Sequence, residues 1–247
     1  MPEGGGTSGE PFLSIVIPAH NEERRLGPSL AKVFGFLAGQ SYPAEVLVVE
    51  NGSSDRTFDI ASQATSEHPN LRAIRLDRRG KGLAVRRGML EAAGRYRFLC
   101  DADLSMPVEN VNRFLPPQLE GVDVAIASRA APGSVVYDEP AFRKMTARWF
   151  NWLTRLVLLP GLTDTQCGFK CFTAEAAEFA FRRQAIDGMA FDAEVLYIAR
   201  RRGWRIAEVA IPWYFDPDSR VRLFKDSLRM AADLLAIRRN AGRGMYD

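Results

Sequence analysis

The 247-residue chain is poor in cysteine and histidine, with three of the first and two of the second, His20 and His68. Three thiols close no disulfide framework. Cys167 and Cys171 have the wrong spacing for a zinc knuckle and no histidine nearby, so no structural zinc is expected and a reducing cytoplasm fits. No run of about 18 uncharged apolar residues occurs, so no membrane-crossing helix is expected. The first residues are rich in glycine but carry neither a basic nor an apolar stretch, and are expected to form a flexible tail over 1–11 rather than a secretory leader. A strong charge of one sign is also missing. The net +3 is too small for wholesale nucleic-acid binding, and no nucleic-acid partner is expected. Finally, no Gly-x-Gly-x-x-Gly follows the first apolar run, where Pro18-Ala19-His20-Asn21 stands, which excludes a dinucleotide oxidoreductase.

What is present is ordinary globular composition, 47% hydrophobic, enough to bury a full core. Apolar runs of strand length alternate with segments of helical period. Strands are expected at Phe12–Pro18, Glu45–Glu50, Leu71–Leu76, Tyr96–Cys100 and Val122–Ser128. Helices are expected at Glu22–Leu37, Asp55–Ser66, Gly82–Ala93 and after Pro107. This βαβ rhythm predicts an α/β fold with a mainly parallel sheet flanked by helices, whose ligands gather at the carboxyl ends of the strands. The second half is less regular: a loop over Ala130–Pro140, an aromatic-rich helix over Ala141–Leu158, the segment Thr163–Phe172, helices at Ala174–Arg183 and Phe191–Arg202, a strand over Trp204–Trp213 and a last helix over Leu223–Arg239. We therefore expect one domain over residues 12–222 and a C-terminal basic helix and tail over 223–247.

Carboxylates cluster where the strands end: Glu22 and Glu23, then Glu50-Asn51-Gly52-Ser53-Ser54-Asp55, then Asp101-Ala102-Asp103. Each string alone also serves as a turn or helix cap. Together their charges converge on one sheet edge and repel unless a cation or a donor-rich ligand relieves them.

The run Ser14 to Glu23, the Glu50 to Asp55 turn, Arg79-Gly80-Lys81-Gly82 and Asp101-Ala102-Asp103 resemble, in order, the motifs of glycosyltransferase family 2. Asp103-Leu-Ser-Met-Pro107 and Asp164-Thr-Gln-Cys-Gly-Phe-Lys170 resemble its polyprenyl-phosphate and dolichyl-phosphate branch, the glucosyl members above all. The resemblance implies a GT-A fold and an inverting, metal-dependent transfer of a hexose, glucose from UDP-glucose first, onto a polyprenyl or dolichyl phosphate. GDP-mannose as donor, a soluble acceptor, or a noncatalytic nucleotide-sugar-binding subunit remain alternatives. Carried over by position, Pro18, Glu22 and Glu50 line the uracil and ribose end of the donor, although the family more often has Asp than Glu50. Lys81 approaches the diphosphate, Asp101 the sugar or ribose, and Arg129 the sugar or phosphates. Asp103 is the principal ligand of Mg²⁺ or Mn²⁺, in the pattern of a DXD motif. Asp164 is a candidate base or positioning residue beside the acceptor, with Gln166, Arg220 and Arg222 expected to bind that acceptor.

Between Ala141 and Leu158, Phe142, Trp149, Phe150, Trp152 and Leu156 interleave with Arg143, Lys144, Arg148 and Arg155. Such a helix suits a headgroup layer or, equally, a core with snorkelling arginines. With the implied lipid acceptor, the expectation is a peripheral protein on the cytoplasmic face of a membrane, anchored weakly or through a membrane-protein partner.

Overall fold

The computed structural model describes residues 10–216 and 223–247; the expected tail over 1–11 lies, up to residue 9, outside them. The run Leu-Ser-Ile-Val-Ile-Pro-Ala is buried at every position and forms the central strand β1 (Leu13–Ala19), covered on both faces as a parallel strand must be. From it the chain winds outward through α1 (Leu26–Ala38), β2 (Ala44–Asn51), α2 (Thr57–Glu67) and β3 (Leu71–Leu76). Then α3 (Lys81–Glu91) returns it to the other side of β1 as β4 (Tyr96–Leu99). There follow β5 (Val124–Ser128), β6 (Val135–Tyr137), α4 (Ala141–Val157), β7 (Lys170–Thr173), α5 (Ala174–Arg183), α6 (Phe191–Arg201), β8 (Ile206–Ala210), β9 (Pro212–Tyr214) and α7 (Leu223–Gly242).

The main sheet has the order β3-β2-β1-β4-β7-β5-β8. Every pairing in it is parallel except those of β7, which runs antiparallel to both β4 and β5. The winding direction reverses between β1 and β4, so the crevice beyond their carboxyl ends is the topological switch point where ligands of open α/β sheets bind. Side-chain alternation divides the core. Ile15, Ile17, Val46 and Val48 pack with α1 and α2 on one face, while Val16, Leu47 and Val49 pack with α3, α5, α6 and α7 on the other. Gly88 lets α3 lie directly on the sheet, because a Cβ there would collide with Val16 and crowd Val49. The last helix, set apart in the sequence, contributes Leu234, Ile237 and Ala241 to this same core.

The structure departs from the sequence expectation in places that shape the site. Residues 22–25 stay outside α1, because Asn21 adopts φ +55° and the N–H groups of Glu22 and Glu23 donate to Thr57 Oγ1 (2.7 Å) and Asp55 Oδ2 (3.3 Å). The helix after Pro107 is a short 3-10 turn over Val108–Phe114, with Pro116 and Pro117 just beyond it unable to continue a helix. The segment Thr163–Phe172 ends in strand β7. The run Trp204–Trp213 divides at Ile211 into β8 and β9, and β9 pairs with β6 in what the sequence suggests is loop.

Candidate functional site

Asn51, at the end of β2, ties the switch point together. Its Nδ2 donates to Ala19 O (2.9 Å), its Oδ1 accepts from Gly80 N (3.0 Å), and its carbonyl lies 2.8 Å from His20 Nδ1. One buried side chain thus joins the ends of β1 and β2 to the turn before α3. The neighbouring turn is closed by Asn21 and Ser53: Asn21 N donates to Ser53 Oγ (2.9 Å) and Ser54 N to Asn21 Oδ1 (2.8 Å).

Of the residues expected at the nucleoside end, Pro18 is buried within β1. Glu22 is half-buried and pairs with Arg25 at 2.6 Å, and Arg25 also pairs with Asp216. Glu50 is fully buried rather than open to a ligand, since its Oε1 accepts from Ser53 N to close the turn. Its Oε2 accepts no hydrogen bond and lies 3.4 Å from the exposed Arg75, which leaves one acceptor at this edge.

Lys81 opens α3, and its Nζ lies 2.7 Å from Asp101 Oδ1. Burial alone would lower its pKa, but the carboxylates of Asp101 and Asp192 outweigh that and raise it, so it remains an ammonium. Asp103 sits in the turn after β4, with Oδ1 accepting from Ser105 N (3.0 Å). Burial and then the charge of Asp101 push its pKa up, although Ser105 and Lys81 oppose the shift. Below this pair, Lys170 and Asp192 form a buried ion pair at 2.6 Å, and Lys170 Nζ also donates to Cys167 O.

Register explains how the second motif reaches this edge. Because β7 is antiparallel, its first residue, Lys170, pairs with Leu99 at the end of β4, so the string Asp164 to Phe169 arrives beside Asp101. Gly168 lies so close to the Asp101 carboxylate that a Cβ there would overlap it. Asp164 is buried and clamps Arg129 through Nε–Oδ2 (2.7 Å) and Nη2–Oδ1 (3.1 Å), the bidentate geometry that guanidinium and carboxylate favour. Its oxygens also accept from Asn151 Nδ2 (3.2 Å), Gln166 N (3.2 Å) and Cys167 Sγ (3.1 Å). Burial would raise its pKa, but Arg129 and these donors hold it well below the usual carboxylate range. Glu208 of β8 fixes the backbone by accepting from Thr163 N and Asp164 N.

Lys81, Asp101, Asp103, Arg129 and Gln166 therefore line one cleft, with Phe150 of α4, Trp213 of β9 and Met230 of α7 closing it. Gln166 Nε2 is buried without an acceptor. Arg129 also lies over the Trp213 ring, 5.4 Å from its centroid. Arg220 and Arg222 lie outside the described residues. Sequence reasoning missed Asn151, Glu208 and Trp213. Only Asn151 left a local signal, as an amide among aromatic residues on one helix.

Asp101 and Asp103 fit a hard divalent cation: two carboxylates on one short turn, one of them resisting ionisation beside the other. Among the described residues no group of three or more His, Cys, Asp or Glu forms a closed cage. Such an ion would need oxygens from a bound ligand and water to complete its shell, as Mg²⁺ does at phosphates.

The model of the family described as glycosyl transferase family 2 matches residues 14–188. A protein of Dictyostelium discoideum named dolichyl-phosphate beta-glucosyltransferase is 33% identical over 241 residues, covering 92% of this chain and 74% of that protein. The Mus musculus protein of the same name is 35% identical over 241 residues, with the same coverage. Among solved structures, glucosyl-3-phosphoglycerate synthase from Mycobacterium tuberculosis, in complex with Mn²⁺, UDP-glucose and glycerol 3-phosphate, superimposes with a TM-score of 0.64 at 18% identity. It covers 92% of this chain and 79% of that one, and shows that the fold is shared.

Asp164→Asn removes the charge that balances Arg129 in a buried pair, a loss of the kind that costs about 3–5 kcal/mol. The folded pKa of Asp164 is depressed, so its contribution is present above about pH 4, the unfolded value, and fades as pH falls toward the folded one. Urea unfolding of the wild type should show this acid-side slope, and the variant should be less stable at neutral pH with the slope reduced.

Proposed function

The chain belongs to glycosyl transferase family 2, and we propose that it transfers glucose from UDP-glucose to a dolichyl or polyprenyl phosphate with inversion at the anomeric carbon. The observation that carries this reading is the meeting of two charged motifs in one cleft: Lys81, Asp101 and Asp103 from the nucleotide half, and Arg129 held by Asp164 from the second half, in contact through Gly168. The names of the similar proteins supply the donor sugar and the lipid class.

In this reading the nucleoside lies over the ends of β1 and β2, where the Glu22–Arg25 pair offers a polar rim beside Pro18 and the buried Glu50 shapes the turn beneath it. Lys81 grips the diphosphate. Asp101 orients the sugar from its ion pair with Lys81. Asp103 would be the principal holder of Mg²⁺ or Mn²⁺, which when bound supplies neutralising charge to the departing diphosphate. Arg129 meets the phosphates or the sugar, and Gln166 offers its unpaired Nε2 to the acceptor.

The acceptor phosphate is already an anion. One of its oxygens forms the bond to the anomeric carbon while the bond from that carbon to the UDP oxygen breaks, and UDP leaves with the electron pair. No proton need be removed, which agrees with the state of Asp164: a carboxylate saturated by donors and far below neutral pKa is a poor base, and its work is to fix Arg129. Arg220 and Arg222 remain candidates for the lipid phosphate.

The membrane side of the reading rests on α4. Its inner face carries Phe150, Asn151 and Thr154, while Phe142, Met145, Trp149, Trp152 and Leu156 stand 50–69% exposed along the other. The helix has four basic residues and no acidic one. A second copy seated on this stripe would set Lys144, Arg148 and Arg155 against their own kind, whereas an anionic lipid surface complements them. No helix among the described residues is long and apolar enough to cross a membrane; the contact proposed for α4 is peripheral, on the cytoplasmic face of a membrane.

The direct test supplies UDP-glucose or GDP-mannose with a short polyprenyl phosphate and Mn²⁺ and weighs the product. A hexosyl lipid phosphate from UDP-glucose, abolished by Asp103→Ala in a protein that still folds, is expected. Transfer only from GDP-mannose would overturn the donor, and UDP-glucose hydrolysis without lipid product would overturn the acceptor.

Flotation with vesicles of anionic phospholipid tests α4. The double variant Trp149→Ser, Trp152→Ser should lose most binding with little change in Tm, because both rings are half exposed. Undiminished binding would remove the membrane role.

A further inference from the structure

Tyr246 is a tyrosine near the end of the described chain, yet it is only 2% exposed. It enters the core beside Leu234, Ile237 and Ala241, and its hydroxyl donates to Glu194 Oε1 at 2.6 Å. Glu194 belongs to the first turn of α6 and is fully buried. A buried carboxylate must find donors, and this one takes three: the Tyr246 hydroxyl, Ala185 N at 3.1 Å and Ile186 N at 2.8 Å. The last two fix the backbone of the loop between α5 and α6.

That loop is the wall of the Gly80-Lys81-Gly82 turn. A Cβ on Gly82 would come within 2.5 Å of Ile186 O and 2.9 Å of Gly188 O, and one on Gly80 within 2.8 Å of Asp187 O. Gln184 Nε2 donates to Gly82 O (2.9 Å) and to Ile186 O (2.7 Å), while Leu83 N donates to Asp187 O (3.3 Å). Arg86, one turn further along α3, donates to Gln184 O (2.8 Å) and pairs with Asp187 (3.2 Å). The position of Lys81 Nζ, 2.7 Å from Asp101, is thus set by a turn that packs against the 184–188 backbone.

We infer that Tyr246 and Glu194 are positioning residues for Lys81: through the 184–188 loop they hold the lysine where it grips the donor diphosphate. Neither touches the cleft, and the inference rests on the donor role given to Lys81 above. The consequence is specific. Loosening the loop releases Lys81 and weakens the donor, while the acceptor side at Asp164, which accepts from Arg129 and Asn151, keeps its own supports.

The experiment is a double-mutant cycle read by UDP titration into the full chain with Mn²⁺ present. Tyr246→Phe removes one hydroxyl and almost no volume, and should weaken UDP binding about threefold to tenfold. In a Lys81→Ala background, where the lysine is already gone, the same change should weaken UDP no further. Steady-state kinetics should show the donor KM raised and the acceptor KM unchanged in Tyr246→Phe. If that variant does not fold, Glu194→Gln is read in the same way. Full UDP affinity in a folded variant, or losses that add to that of Lys81→Ala, would overturn the inference and leave the donor role of Lys81 standing. An unchanged affinity in Lys81→Ala alone would overturn that donor role, and the inference with it.

Discussion

The ion pair between Lys81 and Asp101 is the constraint on which the rest of the site depends. Two carboxylates on one turn of a partly closed cleft repel each other, and the lysine that relieves one of them comes from the start of α3, the helix that leads into β4. Its placement requires α3 to lie flat on β1 and β2, which Gly88 permits, and its turn to be walled by the 184–188 loop, which Gly80 and Gly82 permit. Asn51 then fastens that turn to the ends of both central strands. Among the described residues that line the cleft, charge is still unbalanced, since Asp101, Asp103 and Glu139 face only Lys81 and Arg129. A nucleoside diphosphate deepens that excess, so its binding calls for a further cation.

The second half solves a different problem, the delivery of a motif to an edge that its own strand direction would miss. A parallel strand would have presented its end there; β7 presents its beginning, because it runs the other way. The Asp164 to Phe169 string therefore meets Asp101 and Arg129 at once. The same string is tied to α4 through Asn151, so the helix bearing the exposed aromatic stripe and the arginine in the cleft share one carboxylate.

The nucleotide half was legible because its strands are continuous apolar runs bounded by turn residues, and its motifs stand at their ends. The start of α1 slipped where side chains at the head of α2, Thr57 and Asp55, captured the backbone of Glu22 and Glu23. Strand β7 was hidden by its brevity and by a buried lysine at its head, tolerable only because Asp192 lies against it in the fold. Asp164 left two roles open in the sequence, and its contacts with Arg129 and three further donors favour positioning. Helix α4 left two readings open because its polarity is inverted: Asn151 and Thr154 turn inward while both tryptophans turn outward. Composition alone cannot show which face meets the core.

The central claim is that this acidic edge binds a nucleoside diphosphate through Lys81 with a divalent cation beside Asp103. Calorimetric titration of UDP into the full chain, with Mn²⁺ and then with the metal chelated, tests it most directly. The account predicts binding that is at least about tenfold tighter with Mn²⁺, the gain falling as ionic strength rises. Equal affinity in both conditions, or no UDP binding in either, would contradict it.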